Sequence, residues 1–262
     1  MDLTKDNITE LIKKIAIPAS VGTFFQTMYN LVDSKFAGLI SPEALTAIVK
    51  SFPIYLIIIA ASVGISAGTT ALISNTLGQK DTEKASVLFA QSIIVALLIT
   101  FVVTFIGIAS IKDILIILKS NNQIISYATD YMNVIFSGSI VIFLLVTINA
   151  SLVSRGDTKS YRNVLIFSFF LNILLNPLFI YGFYLIPAMG ISGIALATIV
   201  SELIGLIYLI YKINKTEIRE YLSPECFKPK IALISDILKQ AVPSGLSMGM
   251  VGFGVFILIY LV

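Results

Sequence analysis

Histidine is absent from this sequence, cysteine occurs once, and Asp, Glu, Lys and Arg together make up only 13% of its 262 residues. The first absence excludes a Ser-His triad and a histidine proton relay. The second excludes an internal disulfide, and Cys226 has no Cys or His partner with which to build a metal site. The scarcity of charge excludes an ordinary soluble domain, in which about 25% of residues are charged. What is present instead is apolar chain: 57% of residues are hydrophobic. No charge occurs in 86–111, 131–153 or 163–182. Each window reaches the roughly 20 residues that carry a helix across about 30 Å of hydrocarbon. A lipid bilayer is therefore the expected partner. The net charge of +3 comes from basic residues in short loops, where membrane topology explains them, and no nucleic acid is implied.

The spans read as 15–40, 48–74, 86–111, 131–153, 163–182, 187–211 and a seventh from about 236. They lack the alternation of apolar and polar residues that a membrane β-barrel needs, so the fold class is all-α and polytopic. One side of the membrane collects Lys5, Lys13, Lys14, Lys80, Lys84, Arg155, Lys159, Arg162, Lys212, Lys215, Arg219, Lys228 and Lys230. The other holds Lys50, Lys112 and Lys119, while Lys35 and Lys239 lie in or beside spans. This asymmetry predicts a cytoplasmic N-terminus and a multi-pass protein of the cytoplasmic membrane. The opening "MDLTKDNITELIKK" is mixed-charge and lacks the apolar core of a cleaved signal, so the first span is expected to direct insertion. The stretch 112–130 is too short and too polar to span, and is expected to lie as an amphipathic segment in the outer interface.

"KIAIPAS" at 14–20 matches "KQAVPSG" at 239–245, and each copy opens an apolar span after a charged cytoplasmic stretch. This is the pattern of parallel repeats. The expected organisation is a six-helix bundle over 1–211, a cytoplasmic linker over 212–235 and, over 236–262, the first helix of a second, unfinished bundle.

Ionisable and amide side chains inside spans are costly in hydrocarbon and so carry information. Asp33, in "YNLVDSKFAG", is about six residues, or about 9 Å, inside the outer end of the first span. It reads either as a cation or proton site or as an interfacial acid beside Lys35. In "NILLNPLFIYG", Asn172 and Asn176 stand one turn apart just before Pro177, which withholds a donor from the carbonyl of Ile173. These groups form an oxygen cage for a monovalent cation, or the amides join helices. Glu202 has Thr198 one turn away on the same face. It is either a proton carrier or a permanently neutral acid bonded to a neighbouring helix. Gly64, Gly68, Gly190 and Gly193 permit bends and close helix approach. "SRGDTKSYR" at 154–162 reads as a topogenic loop rather than a catalytic one.

The motifs "IAIPASVGTFFQTMYNLVDSKFAG", "TALISNTLGQKDTEKA", "SRGDTKSYR", "NILLNPLFIYG", "PAMGISGIALATIVSE" and "ILKQAVPSGLS", in this order, resemble the N-terminal half of the multidrug and toxic compound extrusion (MATE) family. The resemblance implies half of a twelve-helix secondary antiporter. Such a protein exports amphipathic, often cationic compounds against inward Na⁺ or H⁺, with the C-terminal half supplying the rest of the cavity. It implies that Asp33, Asn172 and Thr198 take the family's acid, Asn and Thr of a cation site. Asn176 stands where the family usually has Asp, which leaves one carboxylate fewer. The Na⁺ ligands this implies are Asp33, Asn172, Asn176 and Thr198; Glu202, read from its own place in the sixth span, is expected as a further coupling residue. No cofactor is implied: no ATP motif occurs, so the energy must come from an ion gradient. Nor is an enzyme, since no nucleophile is paired with a base. The alternatives are a lipid-linked oligosaccharide or polysaccharide flippase of the same superfamily and an inactive truncated half-transporter.

Overall fold

Hydrocarbon offers no partner for backbone N–H and C=O groups, so a chain of this composition has to satisfy them within helices. A computed structural model describes residues 8–261, and their backbone is almost entirely helical. Seven long helices run as α1 (Ile8–Ile40), α2 (Pro42–Gly78), α3 (Thr82–Ile117), α4 (Asn122–Val153), α5 (Lys159–Tyr181), α6 (Ile191–Ile213) and α7 (Ile231–Leu261). The six from α2 to α7 are long and apolar enough to cross a membrane. α1, interrupted by Gln26, Asn30, Asp33 and Lys35, is not among them.

Local chemistry sets the helix starts. Ser41 Oγ accepts from Ala44 N at 3.1 Å, with Pro42 in the first turn. Asp81 Oδ1 accepts from Lys84 N at 2.9 Å and Asn121 Oδ1 from Ile124 N at 2.8 Å. Each satisfies a donor that the first helical turn leaves free. Asp157, in the "SRGDTKSYR" turn, does the same for α5: its carboxylate accepts from Ser160 N at 3.0 Å and Ser160 Oγ at 2.6 Å.

The stretch 112–130 corrects an expectation. It is not a separate interfacial segment but the end of α3 and the start of α4, joined by a short turn at 118–121. Its apolar residues explain why: Leu115, Leu118 and Ala128 are buried in the core rather than turned to lipid. Lys50 secures the junction, its Nζ donating to the carbonyl of Leu118 at 2.7 Å, where a cation favours the C-terminal end of a helix. Other boundaries shift by a few residues: α6 starts at Ile191 rather than 187, and α7 at Ile231 rather than 236.

α4 is the central helix, packed against α2, α3 and α6. α5 and α6 form a hairpin, and α1 bridges α2 and α5, so that α1, α2, α4, α6 and α5 close a ring. α7 lies along α2, and small residues make the seam possible. A Cβ added at Gly64 would stand 2.6 Å from the carbonyl oxygen of Ala241, and one at Gly68 2.7 Å from that of Ile237. Gly245 faces the same seam. Without a hydrophobic force between helices in lipid, close backbone approach of this kind supplies the association.

Between α6 and α7 two 3-10 turns, Glu217–Arg219 and Pro224–Phe227, lie against α3. Fully buried Gln91 on α3 donates through Nε2 to the carbonyls of Cys226 (2.7 Å) and Lys228 (2.9 Å), and its Oε1 accepts from Lys230 N (2.8 Å). Ser86 Oγ donates to the carbonyl of Ile218 at 2.9 Å. The linker is thus fastened to the bundle.

Two outcomes are expected. In a Cys226→Ser background, Leu56→Cys with Gly252→Cys forms a disulfide once the helices part by a few tenths of an ångström, since a Cβ at Gly252 lies 3.1 Å from that of Leu56 and a disulfide takes about 3.5–4.5 Å; adding Gly64→Val abolishes the cross-link, read as a gel mobility shift. Gln91→Leu speeds amide hydrogen exchange in 217–230 by about tenfold or more, because three backbone bonds lose their partner.

Candidate cation site

α5 carries Asn172 and Asn176 on one face, both fully buried, with Pro177 accommodated inside the helix. α6 is held tightly against this part of α5, because Gly193 leaves room for the backbone of Phe179; a Cβ there would come within 2.6 Å of it. The returning loop satisfies the end of α5, with Met189 N donating to the carbonyl of Phe179 at 2.9 Å and Gly190 N to that of Ile180 at 3.2 Å. This close hairpin sets Thr198 beside the two asparagines.

Asp33 of α1 completes the cluster at 6% exposure. Its Oδ1 accepts from Asn172 Nδ2 at 3.1 Å and Asn176 Nδ2 at 3.0 Å, and its Oδ2 from Thr198 Oγ1 at 3.0 Å. Asn176 Nδ2 also donates to Asn172 Oδ1 at 2.8 Å. Three helices therefore meet at one carboxylate. Lys35, two residues on, is exposed and turned to another face.

The four residues expected to surround a monovalent cation are together, but their amides differ from the expected oxygen cage. They present N–H groups to Asp33, and Asn176 Oδ1 is left buried with no hydrogen-bond partner. A half-turn of an asparagine amide exchanges its nitrogen for its oxygen. The same cluster can hold a bare carboxylate by donation or surround a cation with oxygens.

The cluster opens on a cavity of about 350 Å³ inside the ring of five helices, edged by Val255 and Ile259 of α7. Glu202 lines this cavity with Asp33. It is not hydrogen-bonded to Asp33; its Oε2 is buried without a partner. Sequence reasoning passed over the tyrosines of this wall, Tyr29, Tyr55, Tyr131 and Tyr161. Tyr29, four residues before Asp33 and so on its helical face, was within reach of a periodicity argument. The other three depend on helix pairing.

Comparison with known proteins agrees with this architecture. The family model described as MatE matches residues 18–178. The chain is 29% identical over 252 residues to a probable multidrug resistance protein NorM of Thermotoga maritima, covering 93% of this chain and 53% of that protein. It is 27% identical over 199 residues to an FAD transporter of Shewanella oneidensis, covering 76% and 44% respectively. An outward-facing multidrug resistance MATE family transporter of the MOP superfamily superposes with a TM-score of 0.80 at 28% identity, over 91% of this chain and 52% of the other. The chain thus spans about half the length of the relatives it matches.

Asn176→Asp tests the electrostatics of the cluster. It places a second carboxylate where Asn176 Nδ2 now donates to Asp33 at 3.0 Å, so a proton or cation has to stand between like charges. Thermal unfolding in detergent is expected to show a larger rise in Tm with NaCl, against choline chloride, and with falling pH than in the unsubstituted protein.

Buried carboxylate, paired asparagines and six apolar crossing helices thus accompany a family match over more than half the sequence, and the chain belongs to the MatE family.

Proposed function

We propose that this chain is one half of a secondary antiporter of the cytoplasmic membrane, with its N-terminus in the cytoplasm, that exports amphipathic compounds in exchange for Na⁺ or H⁺. The observation that carries the reading is the Asp33 carboxylate, buried and held at once by side chains of α5 and α6. Burying a lone carboxylate in hydrocarbon is costly, and hydrogen bonds or a counter-ion offset that cost. The two offsets alternate here. Without an ion, the amides and the Thr198 hydroxyl donate to Asp33 and draw α5 and α6 onto α1. With a proton or Na⁺ on Asp33, those donors are released and the asparagine oxygens are free to turn inward. Ion occupancy is thereby coupled to the packing of three helices, which is what an exchanger needs.

The remainder of the central cavity belongs to a second half, corresponding to the length by which the relatives exceed this chain. The flippase reading calls for cations lining the cavity to hold a pyrophosphate. Lys50 is engaged by the carbonyl of Leu118 instead, and nothing in the site favours that reading.

The test is efflux of a fluorescent substrate from proteoliposomes containing the complete transporter, under imposed Na⁺ and pH gradients. Asp33→Asn is expected to lower gradient-driven efflux by at least about tenfold, the loss of a counter-charge that the site depends on. Equal coupled efflux with and without the substitution would overturn the assignment.

A further inference from the structure

Glu202 stands four residues beyond Thr198 on α6, about 6 Å along the helix, so it forms a second polar level beside the Asp33 cluster. Tyr29 takes the corresponding step on α1, four residues before Asp33. The two levels differ in how they are satisfied. Both oxygens of Asp33 accept hydrogen bonds. Glu202 Oε2 is buried with no partner, whereas the Tyr29 hydroxyl has Thr198 within reach. A buried carboxylate oxygen without a partner is expensive, and one that faces a cavity marks a place where a ligand completes the bonding.

The cavity states what ligand that is. Its volume of about 350 Å³ is far beyond a bare metal ion and within the range of small-molecule sites. Among the described lining residues there are two carboxylates and neither Lys nor Arg, so its field favours a cation. The wall around Glu202 includes the rings of Tyr55, Tyr131 and Tyr161. A hard ion such as Na⁺ asks for a shell of oxygens, whereas aromatic faces with one carboxylate suit a quaternary or protonated organic cation.

We infer that Glu202 is the counter-charge for the transported molecule, receiving the onium group of an organic monocation between the tyrosine rings, while Asp33 serves the coupling ion. Resting on the antiport reading above, this assigns the two carboxylates to different cargo. Substrate and ion then bind about one helical turn apart and interact mainly by repulsion through the cavity. Loading one weakens the other, the sign that exchange demands.

The probe is tetraphenylphosphonium, compared with tetraphenylborate, an anion of the same shape, and with FAD, in equilibrium binding to the purified complete transporter. The unsubstituted protein is expected to bind the phosphonium and to discriminate against both anions. Glu202→Gln should weaken phosphonium binding by about tenfold or more and erase the preference over tetraphenylborate, and Glu202→Asp should restore most of both, since only the charge is at stake. Tyr161→Leu, reading the aromatic wall alone, should weaken the phosphonium by several-fold while thermal unfolding stays cooperative. Unchanged phosphonium binding in Glu202→Gln, or a preference for FAD or tetraphenylborate in the unsubstituted protein, would overturn the inference. Should Glu202→Gln fail to fold, phosphonium binding unaltered in Tyr161→Leu would count equally against it. The two readings fail separately: a transporter that binds phosphonium through Glu202 yet shows no gradient-driven efflux defeats antiport alone, and full phosphonium efflux in Glu202→Gln defeats the inference alone.

Discussion

A carboxylate placed in hydrocarbon has to be answered by donors or by a cation, and in this chain Asp33 is answered by side chains from two other helices. That requirement explains features that otherwise look unrelated. The asparagines of α5 stand one turn apart because both must reach the same oxygen. Gly193 is small because Thr198 of α6 must come close to them, and the backbone of Phe179 occupies the space a side chain would need. The hairpin of α5 and α6 and the bridging position of α1 are the framework that brings the donors to the acid.

Asn176 acquires a physical role from this geometry. As a donor it gives one N–H to Asp33 and one to Asn172. The aspartate that the family resemblance places there has no proton to give unless it is itself protonated. An amide at this position therefore holds the anionic form of Asp33 without adding a second charge, and it keeps an oxygen in reserve, Asn176 Oδ1, buried and unpaired. The substitution shifts the cluster from two interacting acids to one acid with a reversible amide partner.

The spans of α3, α4 and α5 were legible because a charge-free run of about 20 residues matches the thickness of a bilayer and little else in a chain of this size. Asp33, Asn172, Asn176 and Thr198 were legible for a related reason: polar groups in such runs are conspicuous. The amide orientation was not, since asparagine carries a donor and an acceptor at nearly equal reach, and only the facing carboxylate selects between them. The segment 112–130 was misread because its Ile and Leu residues look alike whether they face lipid or core, and the burial of Leu115 and Leu118 depends on neighbours far away in sequence. Gln91 escaped for the converse reason. One glutamine among apolar residues resembles an incidental polar group, and its partners, Cys226, Lys228 and Lys230, lie more than 130 positions further on.

That glutamine also determines how α7 is hung. Lys230, whose amide Gln91 grips, is the residue immediately before the helix begins at Ile231. The near end of α7 is therefore anchored to α3, and the helix is held a second time where Gly64 and Gly68 admit the backbone of Ala241 and Ile237. Val255 lies 24 residues along the helix, about 36 Å from that anchor. Because Val255 and Ile259 edge the cavity, the grip of one glutamine on the linker and the glycine seam on α2 together set where that part of the cavity wall stands.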